Sequence, residues 1–530
     1  VEELLTVVGL AAVVTAVSAV ARRLGVLAPI LLVLVGIVVS LVPGIPQVRL
    51  EPDLVLVGIL PPLLYVAAVQ TSVPAFRMKL RSILLLAVGL TLFTTVAVGL
   101  VLHAVIPALP MAATFALGAI VAPPDAVSAS AVASRIGLPR RLVTLLEGES
   151  LVNDATALVT LRVAVGAVTG AAASLAGWGA AGRIAWSALL AAGGGLLVGL
   201  VVAVVVAFIH RRVTDPLLDN ALSLLTPFLA FFPAEEIGAS GVVAVVIAGL
   251  YLGHRWPLLM SAASRLQMEA FWRMVRFLLE GAVFLLVGLQ LRMIVHQLHQ
   301  PAGVVVAATA AVTGTVIVAR FSYVYPALWI PRWLVPRIRR REPAPGWRYP
   351  TVVGWAGMRG VVTLAAAFSL PRLAHGLPFP GRDLFQWLAF AVIIVTLVVQ
   401  GLTLPAVVRR VRIAPDDPRQ DALVEAAVQN RATQAALDRL TELSAELDPP
   451  EYVVDRLRRL ATSRTNQAWE RLGDPDRAPS LLHQRLRQGM IEAEREVFLD
   501  ARNAGRIPAD VANRAQRDMD LEESLITREE

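Results

Sequence analysis

Cysteine is absent from all 530 residues, so neither disulfides nor thiolate chemistry can contribute to fold or function. Lysine is scarce and nearly all the positive charge is arginine, a balance that fits a GC-rich bacterial genome. Charge of either sign is thin, at 17% of residues against a hydrophobic 56%, which is too apolar for a soluble protein of this size. The N-terminus lacks the basic segment of a secretory signal. It carries Glu2 and Glu3 instead, so the first apolar block is expected to be a retained span. Strict apolar/polar alternation is also missing, which excludes a transmembrane barrel.

What is present is a series of long apolar blocks and a mean hydropathy of +0.66. A helix needs about 20 apolar residues to cross the bilayer core, and such blocks recur from Leu4 to about Val408. The expected fold is an all-α polytopic membrane protein with about thirteen transmembrane helices, near 4–21, 24–42, 53–70, 82–106, 111–134, 141–169, 184–209, 217–233, 237–253, 271–295, 302–330, 350–371 and 385–408. Pro233-Ala234-Glu235-Glu236 leaves little room for a loop between the eighth and ninth. Arginines gather in alternate loops, among them Arg22, Arg77, Arg140, Arg211, Arg273, Arg276 and Arg332. Lys79 is with them. The intervening loops hold only isolated Arg49, Arg183, Arg292, Arg372 and Arg382. By the positive-inside rule the first set is cytoplasmic, and an odd span count puts the N-terminus outside and the C-terminus inside. The net charge of +8 therefore concerns the inner leaflet of a plasma membrane, with the lipid bilayer as partner and not nucleic acid.

From Ile413 the composition turns to Arg, Glu, Asp, Gln and Ala with aliphatic residues at helical spacing. The domains expected are a transmembrane unit over 1–412 and a cytoplasmic helical tail over 413–530, broken at Asp448-Pro449-Pro450, Gly473-Asp474-Pro475 and Ile507-Pro508. No nucleotide, metal or phosphate motif occurs in the tail.

Polar groups inside the apolar blocks carry the functional signal. An ionisable residue in hydrocarbon costs roughly 2.5–3.5 kcal/mol on insertion scales, so each one needs a reason. Glu147-Gly148-Glu149-Ser150-Leu151-Val152-Asn153-Asp154 brings three carboxylates, an amide and a hydroxyl into one span. Positions four apart share a helix face, so Ser150 and Asp154 point the same way with Asn153 beside them. Those oxygens suit a hard monovalent cation, and the Asp154 carboxylate can take a proton instead. The bland alternative is a hydrogen-bonding belt between helices.

Ala122-Pro123-Pro124-Asp125 lies mid-span. A double proline removes two backbone donors and frees carbonyls, and such breaks are tolerated at membrane depth where they line a polar cavity. Asp125 follows the break, near the positive end of the next half-helix. Gly354-Trp355-Ala356-Gly357-Met358-Arg359-Gly360 is either a matching break or a packing face with Arg359 reaching the cytoplasmic edge. Arg320, mid-span, requires a buried acid, and Glu149 and Glu147 are the candidates. Glu280 is a further intramembrane charge, and Glu235 and Glu236 either line a cavity mouth or face outer water.

Glu147 to Asp154 resembles the signature of the monovalent cation:proton antiporters related to sodium/proton exchangers. The resemblance extends over Leu4 to Val411. It includes Leu60-Pro61-Pro62-Leu63-Leu64-Tyr65, Ala234-Glu235 with Ser240-Gly241, Glu280 with Phe284 and Gly288, and Gly357-Met358-Arg359-Gly360. It implies a homodimer built from inverted repeats with two crossed, interrupted helices, and Asp154 binding cation and proton in turn. It also implies a structural pair between Glu149 and Arg320. Asn153 before Asp154 looks like the electroneutral branch. Two positions depart from the pattern. Pro124 replaces the threonine of many relatives and leaves only its carbonyl, and Val66 stands where some relatives place a glutamate ligand.

The expected activity is exchange of cytoplasmic Na⁺ for external H⁺, one for one, with Asp154, Ser150, the Pro124 carbonyl and Asp125 around the ion. No cofactor is implied; the ions are cargo. K⁺/H⁺ exchange is the near alternative, with Li⁺ a further candidate cation. An intramembrane serine hydrolase is the remote one, because Gly238-Ala239-Ser240-Gly241 resembles a Gly-x-Ser-Gly nucleophile.

Overall fold

The computed structural model describes residues 2–43, 51–125, 128–129, 132, 136–170, 180–336, 340, 346–374, 376–470, 472 and 479–527. The chain divides into two compact units, residues 1–415 and 416–530. Among the described residues nine helices are long and apolar enough to cross a membrane by length and composition. Three shorter apolar helices accompany them.

The first unit runs through α1 (Glu2–Leu24), α2 (Ala28–Leu41), α3 (Leu54–Gln70), α4 (Val73–Val105), α5 (Met111–Val121), α6 (Arg140–Val168) and α7 (Ala180–His210). It continues through α8 (Pro216–Glu236), α9 (Gly241–Leu259), α10 (Ala262–Leu289), α11 (Ala302–Leu334), α12 (Arg348–Trp355), α13 (Val361–Phe368) and α14 (Arg382–Val411). Residues 371–381 hold a two-stranded antiparallel hairpin, β1 (Leu373–Ala374) and β2 (Leu377–Pro378).

Two helices begin earlier than the apolar blocks. The Val73–Leu84 stretch buries Phe76, Ser82 and Ile83 and runs into the rest of α4, so Arg77, Lys79 and Arg81 are helical rather than in a loop. Likewise Ser261 caps α10 by accepting the Ser264 N–H at 3.1 Å, which puts Arg265, Arg273 and Arg276 on that helix. The doubtful α8–α9 junction is a four-residue turn. Pro233 lies inside α8, whose last turn is closed by Ala239 N–H to the Ala234 carbonyl at 2.8 Å, with Gly238 at φ +74°.

With no hydrophobic drive between helices in lipid, small residues set the closest approaches. Helix α2 meets α10 at Gly36 and Gly288. A methyl group at Gly36 would stand 2.4 Å from the Leu285 carbonyl oxygen, and one at Gly288 would stand 2.2 Å from that of Val33. Three stretches, Leu54–Ile59, Leu85–Leu90 and Thr396–Gln400, are π-helical, a local widening found often at functional sites.

The second unit contains α15 (Pro418–Leu447), α16 (Glu451–Glu470), α17 (Pro479–Asn503) and α18 (Ala509–Thr527). Asp448, at φ +43°, ends α15. Thr465 donates to Thr433 at 2.7 Å between α15 and α16. Arg487 of α17 makes a two-pronged bond to Glu522 of α18 at 2.7 and 2.8 Å and holds that carboxyl below the usual range.

Candidate functional site

Helix α5 ends at Val121, where prolines 123 and 124 remove the donors that would continue it. The carbonyls left open find partners from other helices. Arg359 donates through Nε to the Val121 oxygen at 3.0 Å and through Nη2 to that of Ala122 at 3.1 Å. The Pro124 oxygen accepts from Ser150 Oγ and from Asn153 Nδ2, both at 3.2 Å. Ser150, Asn153 and Asp154 are all buried on α6, so the broken segment is sewn to the polar face of α6.

A second interruption meets the first. Helix α12 stops at Trp355 and α13 starts at Val361, with residues 356–360 non-helical between them. The Asp125 N–H donates to the Met358 carbonyl at 2.7 Å, and the Arg359 N–H donates to Thr396 Oγ1 at 3.0 Å, in the π-helical part of α14. Of the two readings of Arg359, the structure takes the interior one: the side chain is 1% exposed, also donates to the Gly357 carbonyl, and does not reach an edge.

The glycines permit this meeting. A methyl group on Gly360 would lie 2.5 Å from Asp125 Cγ, and one on Gly357 would lie 2.4 Å from Arg320 Cδ. Asp125 is held by Ser128, whose N–H and Oγ reach Oδ2 at 3.0 and 2.5 Å. That is an N-cap contact at three-residue spacing.

Arg320 of α11 is paired with Glu149 of α6. Nη1 to Oε1 is 2.6 Å, Nη2 to Oε2 is 2.9 Å, and Nε donates to the Val353 carbonyl at 3.0 Å. Both side chains are 1% exposed. A bidentate guanidinium–carboxylate pair satisfies the fork geometry of both groups and leaves little net charge in the interior.

Asp154, by contrast, accepts no hydrogen bond from the described residues. It lines a cavity of about 60 Å³ with Asp125, Ser150 and Glu280, roofed by aliphatic side chains of α3, α10 and α13. That volume is large enough for a small cation with a water or two. Asn153 Oδ1 is buried with no hydrogen-bond partner among the described residues. Glu280 is tied to Arg276 at 2.5 Å, and Arg276 also donates to Gln70 at 3.0 Å. Val66 is buried and does not line the cavity; Leu63, Leu64 and Ala67 do.

Glu235 is placed elsewhere. It borders a larger cavity of about 480 Å³ and pairs with Arg162 at 2.6 Å. Ser240 is the N-cap of α9, its hydroxyl accepting the Val243 N–H at 3.3 Å. Ser128, Thr396 and Arg162 were not singled out in the sequence, and Arg276 entered only as a loop arginine. Only Ser128 carried a signal there, as the third residue after Asp125.

The family model described as "Sodium/hydrogen exchanger, transmembrane" matches residues 9–410. A Mycobacterium tuberculosis protein described as an uncharacterized Na⁺/H⁺ exchanger is 36% identical over 536 residues, covering 98% of this chain and 95% of that protein. A sodium, potassium, lithium and rubidium/H⁺ antiporter of Bacillus subtilis is 34% identical over 389 residues, 71% of this chain and 57% of that protein. Among solved structures, the sodium proton antiporter MjNhaP1 of Methanocaldococcus jannaschii at pH 8 superposes with a TM-score of 0.60 at 18% identity. It covers 77% of this chain and 99% of that one. At that identity the likeness concerns the fold.

Proposed function

Because the chain belongs to the sodium/hydrogen exchanger family, we propose that it exchanges cytoplasmic Na⁺ for external H⁺, one for one, with both ions competing for Asp154 in alternating access. The chain is a multi-pass membrane transporter rather than an enzyme, and Ser240 serves as a helix cap rather than a nucleophile. The observation that carries the reading is the contrast inside one cavity. Asp154 is buried without a described hydrogen-bond donor, while the other two acids on that cavity are held, Asp125 by Ser128 and Glu280 by Arg276. An unpaired buried carboxylate is costly unless a cation or a proton neutralises it, so the site holds one or the other.

Ser150 Oγ and Asp125 complete the shell. The Pro124 carbonyl joins it when an ion displaces one of the two donors now on that oxygen. Asn153 contributes an amide oxygen and no charge, so a bound Na⁺ and a bound proton leave the site equally charged. We place the protein in the bacterial plasma membrane as a homodimer of thirteen-span protomers in inverted repeats, N-terminus outside and tail inside.

The test is Na⁺-induced dequenching of a pH dye in everted vesicles. Asp154→Asn is expected to abolish it, and full activity in that variant would end the proposal. Insensitivity to membrane potential marks one-for-one exchange; Na⁺ flux driven by potential alone would exclude it. A second reading, K⁺/H⁺ exchange, draws on the Bacillus subtilis relative, whose name includes potassium and lithium. Dequenching by K⁺ at concentrations where Na⁺ acts would favour it.

A further inference from the structure

The larger cavity lies beside the C-terminal half of α6. Leu158, Leu161 and Arg162 of α6 line it together with Phe231 and Glu235 of α8. Leu158 follows Asp154 by one helical turn and Arg162 by two, so this cavity sits end-on to the ion site along a single helix. The Arg162–Glu235 pair joins the two helices across the cavity lining.

Its halves are not equally fixed. Glu235 Oε1 accepts the Gly241 N–H at 3.0 Å, and a methyl group on Gly241 would stand 3.0 Å from Glu235 Cγ, so the acid is seated on the α8–α9 turn. Arg162 reaches over from α6 and is 54% exposed, against 27% for Glu235. The arginine is the movable half.

We propose that Arg162 is a positioning residue for exchange, closing this cavity against Glu235 and parting from it each time Asp154 opens to that side. The inference rests on the proposed alternating access. A shift of α6 that exposes Asp154 toward this cavity carries Arg162 with it, because the two share a rigid helix. The pair also changes the charge met by an entering cation, alongside Asp53 on the same cavity. Closed, it presents no net charge; Glu235 alone attracts a cation, and Arg162 alone repels one. An exposed pair is weak enough to break in every cycle.

The natural chain has no cysteine, so one introduced thiol is unique. Leu158→Cys reports the depth of the cavity and Ser369→Cys, exposed on the same cavity, serves as control. Each is labelled in full-length protein in vesicles with a membrane-impermeant maleimide. Arg162→Gln and Glu235→Gln are both expected to speed labelling at Leu158→Cys about two- to five-fold, the range for losing an exposed ion pair, with no change at Ser369→Cys. Arg162→Lys, or the swap Arg162→Glu with Glu235→Arg, should restore the slow rate. In transport, the KM for Na⁺ offered from this side should fall in Arg162→Gln and rise in Glu235→Gln, an opposition that a purely structural role would not produce. Unchanged labelling in both single variants, or KM moving the same way in both, overturns the proposal. Labelling needs no ion flux. A chain that labels as expected but does not exchange Na⁺ refutes the proposed function alone, and one that exchanges Na⁺ but labels alike in every variant refutes this inference alone.

Discussion

Glu149 and Asp154 are carboxylates of one helix, five residues apart and 1% and 6% exposed, yet their surroundings are opposed. Glu149 faces Arg320 and is bound at both oxygens. Asp154, about 140° further round the helix, faces a cavity and accepts nothing from the described residues. Burial is common to both; the partner is what differs. One acid holds α6 to α11; the other stands open to the cavity, where the proposed function has it meet a mobile cation or proton.

Removing each charge should therefore break different things. Glu149→Gln leaves the Arg320 guanidinium buried without its anion, which costs about 3–5 kcal/mol. The expected outcome is loss of folded protein by size-exclusion chromatography and a large fall in thermal midpoint. The exchange Glu149→Arg with Arg320→Glu should recover folding relative to Glu149→Arg alone. Asp154→Asn removes a charge that has no described partner. Its thermal midpoint in detergent should equal or exceed that of the natural chain while Na⁺/H⁺ exchange falls to background. Equal destabilisation by both substitutions would erase the distinction.

The glycine segment sharpens the same contrast, because each glycine stands against a different member of it. A methyl group at Gly357 would press on Arg320, and one at Gly360 would press on Asp125. Overpacking costs about 1–3 kcal/mol. Gly357→Ala is expected to lower the thermal midpoint, reproducing the Glu149 lesion in weaker form. Gly360→Ala is expected to raise the KM for Na⁺ and slow exchange with a smaller change in stability. Measuring both quantities on both variants gives a crossed pattern, and a shared pattern would count against separate roles.

Ser150→Ala is expected to act more mildly on the cavity side. It removes one of two donors on the Pro124 carbonyl and one oxygen of the proposed shell. A hydrogen bond is worth about 0.5–1.5 kcal/mol net, so the KM for Na⁺ should rise up to roughly tenfold with folding retained.

Much of this was legible in the sequence because charge in an apolar block is conspicuous. Arg320 demanded an acid, and Glu149 stands against it; Pro123-Pro124 announced freed carbonyls, and three side chains supply their donors. The details that failed to show are those that depend on pairing across distant elements. Nothing local to Arg359 says that it turns inward to the Val121 and Ala122 carbonyls, since snorkelling is equally consistent with its position. Arg162 lies inside the apolar run of α6, and nothing near it in the sequence points to Glu235, 73 residues further on; Arg276 was expected in a basic loop, and only its place on α10 sets it one turn from Glu280. Helix starts were misplaced where an amphipathic basic turn continues into a span, as at Val73–Leu84, because hydropathy marks the lipid-matched part and not the end of hydrogen bonding.

The tail supplies the same ion-pair chemistry in water and so isolates what burial adds. Arg487 and Glu522 form a two-pronged bond like that of Arg320 and Glu149, but on a solvated helical pair where screening and hydration cancel most of the gain. Arg487→Ala should therefore leave folding and transport of the full chain intact and only loosen α17 against α18. Glu522 is held below the usual carboxylate range by Arg487. Its contribution is thus fully present above its unfolded pKa and is lost as pH falls through the lower folded value. Hydrogen exchange of α17 and α18 in the full chain, corrected for intrinsic rates, should show protection that declines at acid pH in the natural chain. In Arg487→Ala the protection at neutral pH should already be lower and the acid-dependent decline shallower. If Arg487→Ala cost as much stability as Glu149→Gln, the difference between the two pairs could not be assigned to burial.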